Sequence, residues 1–459
     1  MEKEVAWKKY NDSDINKLNE LANDYKKFLS NNKTEREITK EVIKRVEEKG
    51  FVNLDELISN NTEIKTNDKI YVNNRNKSIA LFVIGEEPLE SGMNILGAHI
   101  DSPRLDVKAN PLYEEDGFAY LDTHYYGGIK KYQWVTTPLA IHGVIVKKDG
   151  NVINVNIGEK ESDPVFCVTD LLPHLAEEQM KKEATKVVEG ENLDLLFGSR
   201  PNKEEEDPVK KYILELLKEK YDVEEDDFLS SELEIVPAGE ARDAGLDKSM
   251  VLAYGQDDKS CAFTSFKAFL EVENPSRTTS CILVDKEEIG SVGSTGMESN
   301  FYENAIVKIN KLMGNNDYLS TIKTLENSYM LSSDVNAGYD PLYKDVMEKN
   351  NSSFLGKGLV FSKYTGSRGK MGSNDADAEY IAKLRKVMDD NSISYQISEL
   401  GKVDIGGGGT IAYILANKSV NVIDAGVAVL SMHAPWEVTS KADLYEAYLG
   451  YISFLKEMK

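Results

Sequence analysis

Apolar positions fall at helical spacing near both ends of the chain and in short continuous runs between them. Thr34-Glu35-Arg36-Glu37 has the form of a capping box, and Ile38, Val42, Ile43 and Val46 follow on one helical face. Residues 12–50 therefore read as two polar-faced helices. From Ile70 the period changes. Ile70-Tyr71-Val72, the turn Asn73-Asn74-Arg75-Asn76 and the run from Ser78 to Ile84 predict a hairpin ending in a buried strand. Ile95-Leu96-Gly97-Ala98 is a further run, leading into His99-Ile100-Asp101-Ser102-Pro103.

A segment of different texture occupies 106–234. Leu139 to Val146, the Asp149-Gly150 turn and the alternating Val152-Ile153-Asn154-Val155-Asn156-Ile157 predict a β-hairpin. The acidic runs Glu204-Glu205-Glu206-Asp207-Pro208 and Glu224-Glu225-Asp226-Asp227 read as solvated linkers. This segment is taken as a β-rich domain inserted into a discontinuous one formed by 1–105 and 235–459. In the resumed part, 259–270 and 374–387 are helical in pattern, 279–284 is a strand, and 420–423 with 425–430 supplies one or two buried strands. Ser440-Lys441-Ala442-Asp443 caps a last helix reaching Met458. Strands alternating with helices imply an α/β fold, a sheet covered by helices on both faces.

Charge narrows the choice of partners. With 55 basic against 78 acidic residues the formal net charge of the 459-residue chain is −23. Nucleic acid and anionic membrane both call for basic surface, so neither is expected as a partner. No apolar run approaches the roughly 18 residues of a membrane span, and Met1-Glu2-Lys3-Glu4 lacks the layout of a signal peptide. Cys167, Cys261 and Cys281 are too few and too far apart for a disulfide framework or a cysteine zinc site. A cytoplasmic location is the expectation. With only five histidines, any metal site must lean on carboxylates.

Such carboxylates stand at the ends of apolar runs. In open α/β sheets the carboxyl ends of the strands form the ligand crevice, so clusters distant in sequence can meet there. His99 and Asp101, two apart on extended backbone, face the same way, and the carboxylate can fix the imidazole tautomer. Gln256-Asp257-Asp258-Lys259 opens a helix; its aspartate is either an N-cap or a carboxylate shared between two ions. Asp285-Lys286-Glu287-Glu288 ends the run Cys281-Ile282-Leu283-Val284. One glutamate there can bind metal while its neighbour takes a proton from water, and cations would offset their repulsion. Ser333-Asp334 and His433 complete an O- and N-rich set; taken alone, the first reads as a turn-capping aspartate and the second as a packing residue. Gly406-Gly407-Gly408-Gly409 either lets a substrate approach the backbone or forms a tight turn.

In order, Ala98-His99-Ile100-Asp101-Ser102-Pro103, Asp257-Asp258, Asp285 to Ser291, Ser333-Asp334 and Ser431-Met432-His433 resemble the aspartyl aminopeptidase family, di-zinc exopeptidases related to the tetrahedral aminopeptidases. Tyr126-Gly127-Gly128-Ile129 with Trp134, and Leu172-Pro173-His174-Leu175-Ala176, look like the same family's patterns in its inserted domain. The resemblance implies a zinc-exopeptidase domain, an inserted dimerisation domain and a homododecamer. It implies two divalent ions per subunit, zinc first, with cobalt or manganese as alternatives. His99, Asp257 and Asp334 would hold one ion, and Asp257, Glu288 and His433 the other. Glu287 would be the general base, and Asp101 would orient His99. Asp258 stands where many members carry asparagine, so either aspartate is available to bridge; Asp257 is the one taken here. Lys363, Arg368, His174, Gly407 and Gly408 would contact the substrate, a peptide whose N-terminal residue the family usually prefers acidic. Glu177-Glu178 replaces a further histidine of the family pattern, and 361–369 matches its substrate strand only loosely. The function implied is removal of N-terminal residues from peptides. A related di-metal deacylase or carboxypeptidase, or a metal-stabilised scaffold, is the alternative.

Overall fold

The computed structural model describes residues 4–459; the N-terminal reading made on Met1-Glu2-Lys3 lies outside them. The chain divides into two compact units. The first comprises the chain up to Asp101, Ala241–Met432 and Glu437–Lys459; the second comprises Ser102–Glu240 and His433–Trp436. Positions 106 and 234, where the sequence placed the limits of an insertion, fall inside the strands Arg104–Glu115 and Ser231–Pro237.

A nine-stranded mixed sheet organises the first unit. Its centre is parallel: Thr278–Val284, Met93–His99, Tyr329–Ser332 and Asn421–Gly426 lie side by side in that order. Antiparallel neighbours flank this centre, Ser78–Val83 on one side and Leu359–Ser362 on the other. Every residue of Thr278–Val284 and Met93–His99 is buried, which is why both read as continuous apolar runs rather than as alternation. Their side chains enter two separate cores. Leu96 and Ala98 join one, with residues of the helices Asp12–Asn31, Gln256–Phe269 and Lys441–Glu457. Met93 and Ile95 join the other, with residues of Phe301–Leu312 and Ala412–Ala416.

The local signals act as their chemistry requires, with two differences. Thr34 accepts from the Glu37 N–H and Glu37 from the Thr34 N–H, so the helix Glu35–Glu47 starts at a complete capping box. At the last helix, Ser440 accepts from Ala442 N at 3.3 Å, but Asp443 does not close a box. Its carboxylate instead accepts from Gly356 N at 2.8 Å and Gly358 N at 2.7 Å, binding a distant loop. The helix expected over 374–387 runs Ala378–Asp390. Before it, Asn374 Nδ2 donates to the Val422 carbonyl and Asp375 pairs with Lys363 and Lys370, contacts that hold the chain out of helical form.

The second unit is built on a six-stranded sheet in which Leu139–Val146 and Val152–Ile157 form the expected hairpin. The acidic run ending at Asp207 leads directly into a helix, Pro208–Tyr221, where a linker was expected. Glu114 Oε2 caps its start, accepting from Val209 N at 2.8 Å and Lys210 N at 2.9 Å. Only Val209 of this helix is buried, so its apolar periodicity is too weak to read from sequence. Among the described residues no helix is long and apolar enough to cross a membrane, and the three cysteines are free thiols.

Candidate metal centre

Register brings three of the expected clusters to one edge of the large sheet. Val284 pairs with His99, and Ser332 with Gly97, so the parallel strands end together at His99, at Asp285 and at Ser333-Asp334. Ser333 N donates to the Gly97 carbonyl, and Ser265 Oγ to Ser333 Oγ, fixing the segment that carries Asp334. Asp257 and Asp258, both buried, open the helix Gln256–Phe269. Ligand atoms of His99, Asp258 and Asp334 lie within 4.8 Å of one another, as do those of His99, Glu287 and Glu288.

The imidazole of His99 is oriented from one side. Its Nδ1 lies 3.3 Å from Asp101 Oδ1 and 3.1 Å from the Asp101 carbonyl oxygen. Its Nε2 is thereby turned to the carboxylates, 3.2 Å from Asp257 Oδ1 and 3.9 Å from Glu287 Oε2. Asp101 also does something the sequence did not reveal. Its two oxygens accept from the backbone N–H of Glu287 at 3.1 Å and of Glu288 at 3.2 Å. One carboxylate thus sets both the histidine and the turn bearing the paired glutamates, a turn entered and left through left-handed backbone at Lys286 and Gly290.

A second support went unassigned. Glu437, buried, accepts from Asp257 N at 3.0 Å, and its carbonyl accepts from Gln256 Nε2. Tyr25 of the first long helix donates to Gln256 Oε1 at 3.1 Å. Glu437 lies four residues beyond His433, and nothing local marked Tyr25.

Electrostatics gives this cluster its meaning. Burial alone would lower the His99 pKa, but hydrogen bonds to Asp101 and Asp257 outweigh it and raise it well above the ordinary value. Burial pushes Asp258 and Asp334 well above the carboxylate range, and the neighbouring negative charges add to it. Asp258 Oδ1 is buried without a hydrogen-bond partner. A crowded set of buried oxygens and one imidazole nitrogen, costly without a counter-charge, is the donor chemistry that fits a divalent cation.

The remaining expected residues are described within their own units. In the second unit, His433 Nδ1 lies 2.8 Å from the Gly128 carbonyl oxygen, a contact that orients the ring. A Cβ on Gly128 would come within 3.5 Å of that nitrogen. His174 lies on an exposed turn of the same unit, Pro173–Leu175. In the first unit, Lys363 Nζ pairs with Asp375 Oδ1 at 2.8 Å, and Arg368 lines a loop cavity with Lys370, Glu399 and Lys402. Gly407 (φ +120°) is explained by packing: a Cβ there would fall 2.1 Å from the Gly366 carbonyl oxygen. Gly408 accepts from Gly366 N through its own carbonyl.

An imidazole among buried carboxylates at the carboxyl ends of parallel strands defines a metal-dependent enzyme on an α/β sheet. Comparison with known proteins makes this specific. The family model described as Aminopeptidase I zinc metalloprotease (M18) matches residues 28–455, and the chain belongs to this M18 family of metallo-aminopeptidases. A probable M18 family aminopeptidase 1 of Clostridium acetobutylicum is 59% identical over 452 residues, covering 98% of this chain and 97% of that one. The crystal structure of an M18 family aminopeptidase from Thermotoga maritima superposes with a TM-score of 0.96 at 44% identity, covering 100% of both chains. The mApe1 dodecamer of S. cerevisiae, 20% identical, shares the fold with a TM-score of 0.76 over 95% of this chain and 96% of that one.

Proposed function

We propose that this aminopeptidase works with two divalent ions, zinc in the first instance, and that Glu287 is its general base. The observation that carries the reading is Glu287 Oε2 lying 3.9 Å from His99 Nε2, on a turn whose backbone is tied to the same Asp101 that orients His99. His99 and Asp334 would hold one ion, Glu288 and His433 the other, with Asp257 common to both sets. Asp258, beside His99 and Asp334, is the competing candidate for the first ion. When bound, zinc supplies a Lewis acid that activates water and polarises the scissile carbonyl. Glu287 takes a proton from the attacking water at its carboxylate and returns it to the leaving amine. Asp101 holds that carboxylate in place through the backbone and keeps the His99 Nε2 lone pair free.

The preference for acidic N-terminal residues rests on Lys363, with Arg368 second. Asp375 is shared between Lys363 and Lys370, two cations to one anion, which leaves positive charge for a substrate carboxylate. His174 and the N–H groups of Gly407 and Gly408 are the further substrate contacts proposed. Self-association into a dodecamer like that of mApe1 runs through the second unit, where Leu175 and Met180 are 69% and 76% exposed. A cytoplasmic location completes the proposal.

A panel of aminoacyl anilides beside N-acylated amino acids and C-terminally free peptides tests the substrate class. Aspartyl and glutamyl anilides should be turned over fastest. A preference for the acylated set would instead place the enzyme with the deacylases. Glu287→Gln should keep its metal and lose turnover about 10²-fold or more. A metal-replete variant working at near-normal rate would remove Glu287 from the mechanism.

A further inference from the structure

The paired glutamates ride on a loop that leaves the strand Thr278–Val284 and closes on itself where Asp285 pairs with Gly296. Apolar packing does little to hold it, since Ile289 and Val292 are both exposed. Backbone bonds fold it instead. The Lys286 carbonyl accepts from Ser291 N at 2.7 Å, the Glu287 carbonyl from Gly290 N at 2.9 Å, and the Ser291 carbonyl from Glu298 N at 3.2 Å. Lys286 and Ser291 take left-handed backbone, which a residue with a β-carbon keeps only when its surroundings impose it. Gly296 lies where the loop folds over: a Cβ there would fall 2.1 Å from the Ser291 carbonyl oxygen.

The constraint sits at the base of the loop. Backbone pairing between Thr278–Val284 and Ser78–Val83 stops at Leu283 and Ile79, and beyond that rung a side chain takes over. Ser78 is fully buried; its Oγ accepts from Asp285 N at 3.2 Å and donates to the Thr295 carbonyl. A hydroxyl carries one hydrogen and two lone pairs, so both bonds are made at once. One oxygen thus joins the first residue of the loop to one of its last. Thr295 Oγ1 donates to Asp285 Oδ2 at 2.6 Å, a second link across the same gap. Asn74, paired with Ser78 across the hairpin, donates from Nδ2 to the Ser294 carbonyl at 2.8 Å. Ser78, Asp285 and Thr295 are all buried, so a bond deleted there leaves its partner unsatisfied. The loop is therefore gripped twice, by Asp101 at the N–H groups of Glu287 and Glu288 and by two hydroxyls at its base.

We propose that Ser78 and Thr295 are positioning residues for the reaction: their hydroxyls lock the base of the 285–296 loop and so hold the Glu287 carboxylate where it can pass a proton. This rests on Glu287 as general base. Proton transfer needs heavy atoms within hydrogen-bond reach, and a small displacement of a catalytic group is costly in rate. With a lock removed, the left-handed residues relax and the carboxylate wanders, so turnover falls while substrate binding is spared.

Amide hydrogen exchange and steady-state kinetics of the metal-loaded enzyme test the lock together, with metal content measured so that rates are compared at full occupancy. In Ser78→Ala, peptides covering 285–298 should exchange about fivefold or more faster than in wild type, and those covering Met93–His99 at the wild-type rate. Its kcat should fall about tenfold or more with KM within about twofold of wild type. Thr295→Val keeps the side-chain volume, loses the hydroxyl and should behave alike, whereas Thr295→Ser should restore both exchange and kcat. This second pair decides the matter if Ser78→Ala does not fold. Wild-type exchange and kcat in Thr295→Val would overturn the proposal, as would Thr295→Ser behaving like Thr295→Val. A loosened loop with unchanged kcat would also overturn it, and Glu287→Gln then says which part failed. If that variant is inactive, the base stands and only the positioning role falls; if it works at near-normal rate, Glu287 is not the base.

Discussion

Asp101→Asn puts the shared support of the centre under the most direct strain. The wild-type carboxylate accepts two backbone N–H groups, from Glu287 at 3.1 Å and Glu288 at 3.2 Å, while meeting His99 Nδ1 at 3.3 Å. An asparagine keeps one oxygen and presents an NH₂ where the other stood, so one of the two donors faces a donor. Hydrogen bonds to charged groups contribute about 1.5–3 kcal/mol each, and losing one costs that order. Alanine would lose both, about 3–6 kcal/mol, a large share of the total stability of a typical domain, which makes asparagine the cleaner probe. The loss falls on the turn that places Glu287 and on the His99 tautomer, so metal affinity should drop about 10–100-fold. Metal content after dialysis, denaturant unfolding and anilide turnover on one preparation separate the effects. Asp101→Asn that unfolds like wild type, keeps full metal and turns over within twofold of it would refute the assignment of Asp101 to the centre.

Glu437→Ala removes the acceptor of the Asp257 N–H and should cost about 1.5–3 kcal/mol in unfolding free energy, with reduced metal retention. Glu437→Gln, which keeps an acceptor, should recover most of both; equal behaviour of the two variants would argue that the bond does not position Asp257. Asp443 is fully buried and raised to about 8, burial foremost, against two backbone donors that lower it. The folded state therefore holds a proton that the unfolded chain releases near pH 4, so this contribution to stability is complete below that value and fades as pH rises toward 8. Asp443→Asn should flatten the fall in stability between those limits relative to wild type; parallel pH curves for the two proteins would count against it.

What could be read in the chain and what could not divides along a physical line. That the segments bearing His99, Glu287 and Asp334 would meet was legible because a parallel strand ends where its apolar run ends, and register then delivers those ends to one edge. The supporting contacts followed no such rule. Asp101 was assigned to His99, two residues away, but its bonds to Glu287 and Glu288 join backbone 186 and 187 residues distant. Glu437 and Gln256 likewise act through backbone groups, which any sequence possesses and none advertises. The glycines from 406 show the converse. A substrate-binding backbone and a tight turn predict the same letters, whereas the actual constraint at Gly406, a Cβ 1.8 Å from the Leu400 carbonyl oxygen, comes from a close approach of the chain to itself. Side-chain chemistry at strand ends is thus written locally, while the hydrogen bonds that hold it to within tenths of an ångström are written in the fold.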